Sequence, residues 1–113
     1  MNRRQGLGQA GEDRAVALLR ERGYEIVGRN VRLPGGEIDV VARDGATVVF
    51  VEVKARDSRR FGSALGAVDA RKRQTLRKLA AEWLQLFAPQ SCARFDVVAA
   101  DGQRFSHYKD AFR

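Results

Sequence analysis

The chain has 113 residues, 44% of them hydrophobic, and 21 Lys and Arg against 14 Asp and Glu give a formal net charge of +7. That length fits one domain with a core of its own, and no apolar run approaches the roughly 18 residues of a membrane span. The lone Cys92 excludes an intramolecular disulfide, and the excess positive charge favours a polyanionic partner, nucleic acid first.

Arg3 and Arg4 are not followed by the apolar stretch of a signal peptide, so a cytoplasmic protein is expected. Gly8 to Arg22 has the spacing of a helix, with Ala15, Leu18 and Leu19 in an apolar stripe and Gly23 as its stop. Glu12 interrupts that pattern. Its neighbours at i+3, i+4 and i+7 are Ala15, Val16 and Leu19, so its carboxylate begins the face that should pack inward. It reads either as a first-turn acid favoured by the helix dipole or as a third acid aimed at the site on the hairpin below. Asp13 points elsewhere, toward solvent.

Tyr24 to Val31 reads as a first strand with Ile26 and Val27 as its apolar centre, and Arg29 and Arg32 as surface residues within reach of phosphate. Leu33-Pro34-Gly35-Gly36 is a turn into the stretch from Gly36 to Lys54, two apolar runs flanking Asp44-Gly45. With Asp44 and Gly45 as the two turn residues, Val41 pairs with Val48 and Asp39 with Phe50. Side-chain alternation then puts Glu37, Asp39, Val41, Val48, Glu52 and Lys54 on one face, and Ile38, Val40, Ala42, Val49, Val51 and Val53 on the other. Asp39 becomes the diagonal neighbour of Glu52, with backbones roughly 7 to 8 Å apart, near enough for the carboxylates to share a cation. Burying two like charges on so apolar a strand is costly without such a partner.

After Lys54 comes a polar loop, basic at Arg56, Arg59 and Arg60, placed to hold a polyanion over the acids or simply to be solvated. A second helix is expected over Val68 to Phe87, with Leu76, Leu79, Ala80, Trp83, Leu84 and Phe87 as its stripe. Its basic start, Arg71-Lys72-Arg73, partly faces inward, which brings Lys72 toward the site. Arg94 to Ala100 is a strand, and Asp101-Gly102 turns into a short last one near Arg104 to Tyr108. His107, the only histidine, has no metal or triad spacing around it.

Carboxylates of this kind suit a hard cation, Mg²⁺ or Mn²⁺, and a basic protein can present it to a phosphodiester. Asp39 and Glu52 would be ligands, and Lys54 would orient water or stabilise charge on phosphate.

An acid on one strand followed by Glu52-Val53-Lys54 on the next resembles the pattern of the PD-(D/E)XK nuclease superfamily, although Ile38 stands where that pattern has proline. Gly-Glu-Ile-Asp at 36 to 39, Phe-Val-Glu-Val-Lys at 50 to 54, Phe61-Gly62, Arg94-Phe95-Asp96-Val97-Val98, Gly11-Glu12 and Ala111-Phe112 resemble the YraN family across nearly the whole chain. The resemblance implies an α/β fold, with the restriction-endonuclease-like αβββαβ core close to archaeal Holliday-junction resolvases. It further implies a Mg²⁺- or Mn²⁺-dependent DNA endonuclease, selective for branched, flapped or single-stranded DNA, in repair or recombination. The expected metal ligands are Asp39, Glu52, the Val53 carbonyl and Glu12; the expected DNA contacts are Arg56, Arg59, Arg60, Arg71, Lys72 and Arg73. The alternative is an accessory DNA-binding protein that keeps the fold without cleavage. Symmetric junction cleavage needs two centres, which a homodimer supplies, with Phe61, Leu65 and Phe105 as candidate contacts.

Overall fold

The computed structural model describes residues 8–55 and 68–113. Its elements run α1 (Gly8–Glu21), β1 (Glu25–Leu33), β2 (Gly36–Asp44), β3 (Thr47–Ala55), α2 (Ala70–Phe87), β4 (Ala93–Asp101) and β5 (Arg104–Phe112). The strands form one five-stranded sheet in the order β1-β2-β3-β4-β5. Only β3 and β4 run parallel, because α2 carries the chain back between them as a crossover. The mixed open sheet with two helices is the expected α/β architecture, in the order αβββαβ with β5 added.

Each helix covers one face. Glu12, Ala15, Val16 and Leu19 are the buried residues of α1, the i, i+3, i+4, i+7 set read from the sequence. Ala15, Val16 and Leu19 pack on Val40, Ala42, Val49, Val51, Val53 and Val98. On the other face Leu79, Ala80 and Trp83 of α2 meet Ile38, Val41, Val48 and Phe50. The Asp69 side chain caps α2 by accepting from the Lys72 N–H at 2.9 Å. Gly36, at φ 149°, lets the β1–β2 turn pass under this helix; a Cβ there would lie 3.4 Å from Leu79 Cδ1.

Three expectations are corrected. Val27 is 43% exposed rather than central, because the β1–β2 register shifts between Ile26 and Gly28 and turns it outward. Phe87, the last residue of α2, is 63% exposed, its ring tilted at 45° to that of Trp83 with centroids 5.1 Å apart. The last strand extends to Phe112, since a bulge centred on Asp110 (φ 53°) allows pairing to resume at Phe95 with Phe112.

That bulge is held by Asp96, which is fully buried. Its carboxylate accepts from the Asp110 N–H (2.9 Å), Tyr24 Oη (2.8 Å) and Arg94 Nε (3.1 Å), and His107 Nε2 lies 2.7 Å away. The Arg22 guanidinium lies 3.3 Å from His107 Nδ1 on the ring's other side. Arg94 also pairs with Asp44 at 2.9 Å, tying β4 to the β2–β3 turn. Burial would raise the Asp96 carboxyl, but the bonds from His107, Asp110, Tyr24 and Arg94 hold it below its ordinary 3.8.

Asp96→Ala should therefore destabilise the protein by about 3 to 5 kcal/mol, since it strands several buried donors. Urea unfolding at pH 7 measures this. The depressed Asp96 carboxyl makes its stabilisation complete above the unfolded value and lost as pH falls through the folded one. The gap between parent and variant should thus stay constant from pH 7 to 5 and shrink only below pH 3.8.

Candidate functional site

The regular alternation of the sheet breaks at one level, and the acids lie there. Arg29 pairs with Val40, and Val31 with Ile38, which sets Asn30 beside Asp39. Residues two apart on a strand ordinarily share a face. Here Arg29 reaches Glu12 of α1 and Val40 packs in the α1 core, whereas Val31 and Ile38 pack under α2. Ile38 thus leaves the face expected for it. Asn30 has φ 51°, a left-handed conformation that asparagine tolerates better than most residues, and it turns β1 over at this level.

The β2–β3 ladder runs from Asp44–Thr47 to Val40–Val51. Beyond that pair the Asp39 side chain takes over, its Oδ2 accepting the Val53 N–H at 2.8 Å. A donor that a ladder would have bonded to backbone is satisfied by a carboxylate instead. The turn residues are Gly45 (φ 62°) and Ala46, not Asp44 and Gly45. Moving the turn by one residue shifts every partner by two, which preserves the faces but changes the neighbours. Continued one step past Val40, this register sets Asp39 directly opposite Glu52 rather than on its diagonal.

Asp39 is 9% exposed and Glu52 6%. Glu52 Oε1 is buried with no hydrogen-bond partner, and Oε2 lies 3.6 Å from Lys72 Nζ of α2. Burial and then the negative charge of Asp39 push Glu52 up to about 7, against the attraction of Lys72 and Lys54. Lys54 is exposed two residues further along β3. Val53, whose carbonyl is the expected third ligand, is 4% exposed.

Glu12 is 3% exposed and accepts from Asn30 Nδ2 at 3.1 Å and Arg29 Nη2 at 3.3 Å. Because Asn30 stands beside Asp39, Glu12 lies behind the acid pair, joined to it through β1. Among the described residues no group of three His, Cys, Asp or Glu is set to hold a metal ion; the acids that meet are two. Arg29 also binds Asp13 at 2.7 Å, so both read as solvent-facing are paired. Asn30 was not legible as a site residue; its one signal is an asparagine inside a β-run, where that residue is depleted.

The expected DNA contacts divide. Arg71 is exposed at the start of α2, and Lys72 turns to Glu52. Arg73 donates to the Val68 carbonyl at 2.9 Å and lies over the Phe112 ring at 5.4 Å, so its guanidinium serves the α2–β5 packing. Arg56, Arg59, Arg60, Phe61 and Leu65 fall outside the described residues. Phe105 is partly buried against the α1 core with the Arg14 guanidinium over its ring at 4.5 Å, which removes it as a bare contact.

An orphaned buried carboxylate oxygen, beside a second carboxylate held in place by backbone, fits a hard divalent cation. Lys72, at 3.6 Å from the other Glu52 oxygen, stands outside hydrogen-bonding distance.

The sequence profile of the uncharacterised protein family UPF0102 matches residues 11–100, which include Glu12, Asp39, Glu52 and Lys54. A UPF0102 protein of Shewanella amazonensis is 46% identical over 105 residues, covering 93% of this chain and 97% of the relative. One of Moorella thermoacetica is 53% identical over 94 residues, 81% and 78% of the two chains. One of Burkholderia pseudomallei is 46% identical over 112 residues, 97% and 77%.

Glu52→Gln tests the electrostatics without any ligand. With the folded-state value near 7 and the ordinary one 4.5, the folded protein holds a proton that the unfolded chain releases. Stability from this group therefore falls as pH rises from 4.5 to 7 and stays low above. In chelator-containing buffer at pH 8 the variant should be more stable than the parent by on the order of 1 to 3 kcal/mol. The gap should close toward pH 4.5 in thermal or urea unfolding.

Proposed function

The chain belongs to the uncharacterised protein family UPF0102, and from that premise we propose that it is a divalent-cation-dependent endodeoxyribonuclease. The observation that carries this reading is the acid pair at the point where β2 and β3 part. Asp39 is fixed by the Val53 N–H, and Glu52 keeps a buried oxygen with no hydrogen-bond partner among the described residues. An accessory DNA-binding protein would have no use for buried acids that repel phosphate.

Asp39, Glu52 and the Val53 carbonyl would hold Mg²⁺ or Mn²⁺, with Glu12 behind them orienting the β1 side of the site through Asn30. Bound there, a hard cation supplies Lewis acidity toward a phosphoryl oxygen and the attacking water. Asp39 needs no reorganisation to bind, because the Val53 N–H already holds its carboxylate. With Glu52 raised to about 7, cation affinity should rise with pH up to about 7 and then level off. Lys54 stands beside these acids on a strand, where its ammonium can orient water and stabilise charge building on the phosphate. Arg71 and the basic residues Arg56, Arg59 and Arg60 would hold the DNA backbone against the net charge of +7.

Branched, flapped and single-stranded DNA are the substrates to try with Mn²⁺. Parent protein should cut at least one, and Asp39→Ala and Glu52→Ala should abolish both cutting and calorimetric Mn²⁺ binding. Variants that bind Mn²⁺ as well as the parent overturn the site; DNA binding with no cutting of any substrate supports the accessory role instead. Light scattering with and without a four-way junction decides whether two copies assemble to give the paired centres that symmetric cleavage requires.

Replacing Arg56, Arg59 and Arg60 with Ala should weaken DNA binding and reduce the slope of log affinity against log salt by up to about three. Salt titrations of parent and triple variant measure it; equal slopes would place the DNA elsewhere.

A further inference from the structure

The carboxylate that lacks a hydrogen-bond partner does not lack a cation. Lys72 reaches it from the opposite helix, Nζ lying 3.6 Å from Glu52 Oε2. The placement is built in: the Lys72 N–H is bound to the Asp69 cap at 2.9 Å, which fixes the first turn of α2 over the end of β3. The side chain is 44% exposed while that of Glu52 is 6% exposed. Lys72 thus spans from solvent to a buried acid, stopping short of a hydrogen bond and leaving Oε1 unpartnered.

A lysine that only touched phosphate would gain from facing outward, as Lys78 does further along the same helix. Facing an acid, its charge instead acts on whatever else binds there. A fixed positive charge a few ångströms from a dication disfavours it, and a flexible four-carbon stem can withdraw only by giving up the attraction of Glu52.

We propose that Lys72 is a further positioning residue of this site, competing with the divalent cation for Glu52 and so setting the cation concentration at which the site fills. This deepens the nuclease reading and rests on it. Glu52 faces positive charge from two elements, Lys72 on α2 and Lys54 on β3, and negative charge from Asp39 on β2. Of the two lysines, Lys72 is the one in ion-pair contact. It occupies one carboxylate oxygen and leaves the other to the cation.

Calorimetric titration of the full chain with Mn²⁺, without DNA, tests this. Lys72→Met should tighten Mn²⁺ binding roughly three- to tenfold at low salt, less at high salt where an exposed charge is screened. Lys78→Met, the same loss of charge on the same helix, should change it by less than about twofold, and Lys72→Arg should stay near the parent. Equal affinity of the Lys72→Met and Lys78→Met proteins, or weaker binding by the former, overturns the proposal while Glu52-dependent binding by the parent keeps the site. If the parent binds no Mn²⁺ through Glu52, both the site and the role of Lys72 fall together.

Discussion

The bond from the Val53 N–H to the Asp39 carboxylate stands where a strand ladder ends, and the organisation of this molecule turns on it. Two neighbouring strands in a sheet normally bond backbone to backbone along their length. Here β2 and β3 do so only as far as Val40 and Val51. Past that pair a side chain serves the strand's donor, and the two carboxylates meet where the backbone ladder stops. Asn30 makes the same break possible on β1, since its left-handed backbone turns the strand over beside Asp39. A sheet with strict alternation throughout would keep Ile38 and Val40 on one face.

The molecule contains two kinds of buried acid, and their surroundings differ in a way that separates structure from chemistry. Asp96 is bonded on both oxygens, by a backbone N–H, a tyrosine, an arginine and a histidine. Those bonds outweigh its burial and keep it ionised. Glu52 is buried nearly as deeply, with one oxygen unsatisfied and a second carboxylate for a neighbour. A fully bonded acid is a strut; an acid with an unsatisfied oxygen beside a second carboxylate is the kind of group that marks a binding or catalytic site. The two groups also lie on adjacent strands, β3 and β4, so the strut is well placed to keep the strand carrying Glu52 and Lys54 in register.

The rigidity of that arrangement comes from the periphery. Arg94 joins Asp96 to Asp44 at the β2–β3 turn, and Tyr24, at the junction of α1 and β1, closes the network from above. Burial and its bond to Asp96 push the Tyr24 hydroxyl up to about 12, so it stays a donor at any physiological pH. The hairpin that carries Asp39 is thus tied at its turn, and its backbone pairing stops at Val40 and Val51.

The elements, their order and the residues of the acidic pair were legible in the sequence because they follow from periodicity. Alternation with a period of two survives a turn misplaced by one residue, so Glu52 and Lys54 stay two apart on β3 in either register; that Asp39 lies beside Glu52 follows the sequence reading, although the alternation breaks there. The inward stripe of α1, with Glu12 at its head, follows from helical spacing in the same way. What only the tertiary structure decided are the relations that no period encodes. One is the break at Asn30 and Asp39, which depends on a single positive φ. Another is which acid Lys72 meets: helical spacing turned it toward the site, and where the crossover helix lands set it against Glu52. The last is the division of labour among the cations: Arg73 is spent on Phe112 and Arg29 on Glu12 and Asp13, because each lies beside that partner only after the chain has folded.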